Sequence, residues 1–477
     1  MLGLRLLLVI VVFLGSTLLF RIAAGSLKIT KLNMISAIYY YLLVFSLIGG
    51  SLTYLGMREH YMLRFVQDPE NIDRAYYALA YAMILLPLTM ILMKKFLGVF
   101  LRRREIKEYT CSEICVSEKR TRMFFFVLFL GLVCAGATLY VFRNLGYNPI
   151  TALLKRQNLS ALRQAGGSGG GNQYIKNLLM TALTPYVSYL AYIYARVTRE
   201  KKWCFLFLAL GALSVLVLTY DFQKAPVIMY LIGFYLLEVG MGNILNLRWF
   251  RYLAIIAVAL IIGFYVLSGA GSHLGSIYTG PAGRIIFSQF SPLILHLDVF
   301  PARTGFLNGA SFNSWMSALF PAAEGLRSGR IVMEMTNPAG IREGVAGVMN
   351  TVFIGEAWAN FGTVGIVIAP IIFGVIIGLA ATLIPAIKKS PVTILLYAQL
   401  TLLFMNIVEG GFVDIFYSAS TIFLLGVTVA MWAFSGPGET AVPTRLEKGP
   451  GGRFRWPRFG KKDQGDGSSG PSAGVAQ

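Results

Sequence analysis

The sequence predicts an all-α, polytopic membrane protein, and three observations carry that prediction. Apolar residues fill 56% of the 477 positions and charged residues only 13%, with a mean hydropathy of +0.65. Soluble domains carry about 25% charged residues, so this chain cannot cover its exterior with polar groups and needs lipid around it. Next, apolar runs of membrane-crossing length recur along the chain. Finally, Lys and Arg gather in alternate connecting loops. A soluble enzyme, a disordered chain and a fibrous protein are excluded.

About eleven spans are expected, near 2–20, 34–55, 75–97, 123–142, 178–195, 203–220, 225–240, 252–268, 363–387, 392–410 and 415–434. The first begins near Arg5 like a signal peptide. It lacks a small-x-small cleavage site and more spans follow, so it reads as an uncleaved helix. The shorter run at 347–360 contains Asn350, Glu356 and Asn360. It reads as an interfacial or re-entrant piece meeting the next helix at Gly362.

One face collects 27 of the 42 Lys and Arg residues, including the dense run from Lys94 to Arg122. That face is cytoplasmic by the positive-inside rule. The N-terminus then lies outside and the C-terminus inside, which an odd number of spans satisfies. The net charge of +20 thus reports topology, and no nucleic-acid partner is expected. Residues 1–434 read as one integral-membrane domain. Residues 435–477, rich in Gly, Pro, Ser and basic side chains, read as a disordered cytoplasmic tail near anionic headgroups. The four cysteines are too few for a disulfide scaffold and read as reduced.

Two external loops exceed what a helix connection requires. The first, 143–177, holds Arg143, Lys155, Arg156, Arg163 and Lys176, no acid, and a glycine-rich run at 166–171. An external anionic ligand explains such a loop. Arg156 and Arg163 would share a helix face, and glycine would let backbone N–H groups approach a phosphate. Headgroup contact by a flexible linker is the ordinary alternative. The second loop, 269–346, is too long for a simple connection and should fold on the membrane surface. It holds Arg284, Arg303, Arg327 and Arg330 beside Phe306, Phe312 and Trp315. Aromatic rings and arginines suit sugars and phosphates. Pairing with Asp298, Glu324, Glu334 and Glu343 is the ordinary reading, favoured for Arg327 and Arg330. A structural role is favoured for His273 and His296.

Ionisable groups at external helix ends narrow the search, because burial there is costly. Lys224 precedes a helix start, where a cation is disfavoured, so it points to an anion or to an internal pair with Asp221. Glu356 and Asn360 lie four apart, on one helix face. Glu409, Gly410, Gly411 and Asp414 form an acidic, flexible corner. Its carboxylates could cap helices, pair with arginines or act as a general base. No nucleotide-binding loop, serine-hydrolase elbow or zinc-protease motif is present. No external acid cluster suggests a metal, and no cofactor is expected.

These residues carry a resemblance to the O-antigen and oligosaccharide repeat-unit polymerases of the Wzy type, including the enterobacterial common antigen polymerase. The turn Thr219–Pro226 resembles the family's Lys/Arg-containing turn. Asn350–Gly365 (NTVFIGEAWANFGTVG) resembles its short-helix, Asn-Phe-Gly, long-helix segment, and Asn406–Phe416 (NIVEGGFVDIF) its acidic-glycine corner. The two large loops and about eleven spans match the family's GT-C-like polymerase and ligase architecture.

The resemblance implies metal-independent, inverting transfer of a growing glycan from undecaprenyl pyrophosphate to the next lipid-linked repeat. This would occur at the outer face of the bacterial inner membrane. It implies Arg156, Arg163, Lys224, Arg284 and Arg303 as pyrophosphate ligands and Glu409 or Asp414 as base or orienter. Glu356 and Asn360 would support the cavity. It also implies membrane lipids, a chain-length regulator and a flippase as partners to test. Rival readings are an O-antigen ligase or another lipid-linked-sugar transferase, and a non-enzymatic polysaccharide exporter or flippase.

Overall fold

The computed structural model describes residues 2–100, 109, 112–117, 120–154, 162, 166–167, 169–242, 276, 278, 280–342, 347–435 and 440–442, with isolated positions between 252 and 263. Eight described helices are long and apolar enough to cross a membrane. Two more, of 16 and 17 residues, fall just short of that length. The chain is therefore a multi-pass membrane protein. Most of the expected span at 252–268 lies outside the described residues, as does most of the tail.

The first three spans are α1 (Leu2–Ala24), α2 (Met34–Tyr54) and α3 (Glu70–Phe100). Asn33 starts α2 with a capping box: its side chain accepts from Ser36 N, and the Ser36 hydroxyl answers the Asn33 N–H. Helices α1 and α3 run parallel. Arg5 pairs with Asp73 at 2.6 Å at one end, and Lys94 donates to the Ala23 carbonyl at 2.5 Å at the other. Inside α2 a π-turn at Leu43–Leu47 turns Ser46 toward the protein interior. Such turns often mark functional sites.

A second group comprises α4 (Arg120–Leu145), α5 (Ile175–Thr198), α6 (Lys201–Leu218) and α7 (Ala225–Gly240). Tyr189, Tyr192, Phe207, Tyr230 and Phe234 interlock at its centre. A Cβ at Gly233 would meet the Tyr189 ring, so glycine lets α5 and α7 close up. Arg196 pairs with Glu238 at 2.8 Å.

The short elements before the next span include α8 (Pro281–Ile286), α9 (Phe290–Val299) and α10 (Ser328–Thr336). All ten residues of α9 are buried. Part of the loop expected on the membrane surface therefore sits inside the bundle, because a helix apolar on every side must be covered on every side. Asp298, at its end, accepts from the backbone of Gln67 and Asp68 and pairs with Arg303.

Helix α11 (Phe353–Ala386) breaks at Gly362, whose backbone is left-handed at φ 58°. A Cβ at Gly365 would overlap the Ala357 carbonyl. Residues eight apart in one straight helix are about 12 Å apart, so the chain doubles back here. The segment that the sequence read as interfacial or re-entrant is thus a short helix joined directly to the span through Gly362. Beyond it, Gly374 and Gly378 lie against Thr89 and Met93 of α3, a small-residue pair that allows close helix approach.

The last helices are α12 (Pro391–Ile407) and α13 (Ala419–Ser435). Helix α12 contributes Leu396 and Tyr397 to the first core and Ile394, Leu395 and Ala398 to the second. It joins the two groups. The tail expectation needs one correction. Strand β2 (Thr440–Val442) pairs antiparallel with β1 (Ile114–Val116), since β-branched residues alternate on both segments. Residues 443–477 lie outside the described residues.

Candidate active site

Two stretches far apart in sequence meet at the end of the bundle where α10 lies. The Phe353 N–H donates to the Val408 carbonyl at 3.1 Å, and the Val413 N–H donates to Glu356 Oε2 at 3.0 Å. The re-entrant helix and the acidic-glycine corner are thus stitched together twice. Gly411 must be glycine for this: a Cβ there would lie 2.5 Å from Glu356 Oε2 and 3.4 Å from Arg327 Nη1.

Arg327 enters from the long loop, directly before α10. Its Nη2 donates to Asp414 Oδ1 at 2.6 Å, and its Nη1 lies 4.0 Å from Glu356 Oε1. The Glu356 side chain is 4% exposed, Asp414 27% and Arg327 46%. One half-exposed guanidinium therefore serves a buried carboxylate and a surface one. Phe412 and Phe416 of the same corner pack in a cluster of rings with Phe312, Phe320 and Phe361, and Trp315 lies edge-on to Tyr417 at 5.2 Å.

Glu409, two residues before Gly411, takes a different direction. Its Oε1 accepts from Ser46 on the π-turn of α2 at 2.7 Å, while Oε2 is buried with no partner among the described residues. Thr351, beside the same Phe353–Val408 bond, also has a buried unpartnered hydroxyl. Asn360 organises the long loop. Its Oδ1 accepts from Gly309 and Ser311 N–H, and its Nδ2 donates to Ser311 Oγ and the Glu356 carbonyl. It holds the loop on the turn at Gly362.

The predicted cations are distributed more widely. Arg303 is bound to Asp298 and to the Phe65 carbonyl. Arg284 is exposed on α8, and its charge bears on His60. Burial first, and the Arg284 charge second, push the His60 imidazole down to about 4. His60 Nδ1 lies 3.1 Å from Ser291 Oγ. Lys224 sits immediately before α7, beyond the buried Asp221. Arg156 and Arg163 lie outside the described residues. His296 is buried and satisfied by the Pro292 carbonyl and Ser328 Oγ. Arg330 pairs with Glu334 at 2.6 Å.

The glycine-rich run behaves differently from expectation. The buried Lys176 Nζ donates to the carbonyls of Gly166, Gly167 and Gly169 at 3.1, 2.9 and 2.8 Å. Gly166 packs so closely that a Cβ would meet Tyr147 and Asp221. Carbonyls of this run thus face an internal ammonium.

Sequence reasoning ranked Arg327 below Arg284 and Arg303, since all three are loop arginines with acids nearby in sequence. Its partners lie 29 and 87 residues away, which no local pattern reveals. Ser46 offered no signal beyond a serine in an apolar run. Among the described residues, no three His, Cys, Asp or Glu side chains group as metal ligands. No protein-family model, curated protein or solved structure matches the chain.

Proposed function

We propose that this protein is a membrane glycosyltransferase that polymerises undecaprenyl-pyrophosphate-linked oligosaccharide repeats at the outer face of the cytoplasmic membrane. One observation carries the reading. The two stretches that resemble repeat-unit polymerases in sequence, 350–365 and 406–416, are bonded together, and an arginine from the large loop closes on both.

In this reading the acceptor sugar hydroxyl attacks the anomeric carbon of the donor. The new C–O bond forms as the bond to the pyrophosphate oxygen breaks, and the anomeric centre inverts. Asp414, the carboxylate nearest the surface, takes the hydroxyl proton. Undecaprenyl pyrophosphate leaves with the bonding electron pair, and fixed cations stabilise its charge. Arg327 joins Arg156, Arg163, Lys224 and Arg284 in that role, while Arg303 stays with Asp298. Glu356 and Asn360 hold the corner and the loop, and Glu409 braces the corner against α2.

Purified protein in liposomes, given only lipid-linked repeats, should produce a ladder of polymers. Asp414→Asn and Arg327→Ala should shorten or abolish it at unchanged protein levels. Product only when lipid A-core is supplied would identify a ligase instead. No product under either condition refutes the proposal.

A further inference from the structure

A cavity of about 390 Å³ opens at the opposite end of the bundle, where α5, α11, α12 and α13 end beside β1. Its lining mixes apolar side chains, among them Ile387 and Trp432, with the polar Lys388, Ser390 and Ser435. Ile387 and Lys388 are both exposed, so the entrance presents an apolar and a cationic side chain together. Next to it on α13, Phe434 is 48% exposed, on a helix whose outer side bears further exposed apolar residues. The cavity therefore opens where a bilayer would end.

We propose that this cavity binds the headgroup of an anionic phospholipid from the inner leaflet. The orientation comes from the Lys/Arg asymmetry, which sets this end on the cytoplasmic side, where anionic lipids attract basic residues. The phosphate faces Lys388, beside the start of α12, where the Ser390 hydroxyl caps the Thr393 N–H; the Ser435 hydroxyl donates to the Trp432 carbonyl. The glycerol and first acyl carbons lie along Ile387 and Trp432. A soluble anion would leave the apolar side chains of the lining unused. The volume lies near the lower end of the range for small-ligand pockets, about 300–1,000 Å³, which suits a headgroup with its acyl tails left in the bilayer. This site is independent of the proposed transfer reaction, which uses the other end of the molecule.

The test uses the full chain in an uncharged detergent and follows thermal unfolding against added phosphatidylglycerol, phosphatidylcholine or glycerol 3-phosphate. Phosphatidylglycerol should stabilise at concentrations where the other two do not. Lys388→Gln should weaken that response about fivefold, the share of one basic residue at an anionic surface. Ile387→Trp, which narrows the cavity from its exposed rim and keeps the charge, should remove it. Should that variant fail to fold, Cys115 supplies a second readout, because it lines the same cavity. In a chain whose other three cysteines are Ser, phosphatidylglycerol should slow maleimide labelling of Cys115. Equal stabilisation by phosphatidylcholine, or by glycerol 3-phosphate, overturns the proposal. So does a wild-type response in Lys388→Gln together with unprotected Cys115.

Discussion

Replacing Arg327 by Ala tests how the candidate site is held together. The substitution removes the 2.6 Å bond to Asp414 and the only cation within 4.0 Å of Glu356 among the described residues. The Asp414 pair is partly exposed on both sides, so its loss costs about 1 kcal/mol. Glu356 is nearly fully buried. Stripping a buried carboxylate of its partner costs about 3–5 kcal/mol when the pair is enclosed. Here the guanidinium is half-exposed and 4.0 Å away, and the Val413 N–H remains, so about 1–2 kcal/mol is expected. The total is about 2–3 kcal/mol, read by equilibrium unfolding in mixed micelles. The double variant Arg327→Ala/Glu356→Gln is the decisive comparison. A neutral amide needs no cation, so Glu356→Gln should restore about 1 kcal/mol in the Arg327→Ala background. If Arg327→Ala leaves stability unchanged, or Glu356→Gln only adds further loss, the guanidinium does not serve the buried carboxylate and the reasoning fails.

Other outcomes follow from single contacts. Gly365→Ala drives a Cβ into the Ala357 carbonyl; it should cost more than about 3 kcal/mol and leave little folded protein in the membrane fraction. Lys176→Met removes three carbonyl bonds from a buried ammonium. Charged hydrogen bonds are worth about 1.5–3 kcal/mol each and are not additive, so hydrogen exchange at 166–171 should rise sharply while that of α3 stays unchanged. His60 binds its proton less readily when folded than when unfolded, so its contribution is complete above pH 6.5 and lost as the pH falls to about 4. Against a His60→Gln reference, wild type should lose about 2–3 kcal/mol across that window; parallel stability curves would contradict the assignment.

Several elements could be read from residue types alone. The spans follow from long apolar runs, because lipid forces each backbone group into a helix bond. Gly362 was legible as a break, since a glycine between Asn360-Phe361 and a long apolar run ends one helix and starts another. Helix α9 was not legible. Ten residues are too few to cross, and only the packing of α2, α3 and α11 around them decides that they are buried. The tail strand at Thr440–Val442 was missed for a similar reason: its partner at 114–116 lies on a distant loop.

The same division holds at the candidate site. Composition determined that the chain is multi-pass, and the charge asymmetry set an expectation of orientation, because transfer into lipid depends on summed hydropathy and loop charge, which are local and additive. The identity of side-chain partners is neither. Arg303 and Arg327 are both loop arginines, yet one is absorbed by Asp298 while the other bridges Asp414 and Glu356. Lys176 resembled a ligand for an external anion and instead closes a glycine-rich turn on itself. Which neighbour neutralises a buried charge depends on distances of a few ångströms between segments tens of residues apart, and only the folded chain sets those distances.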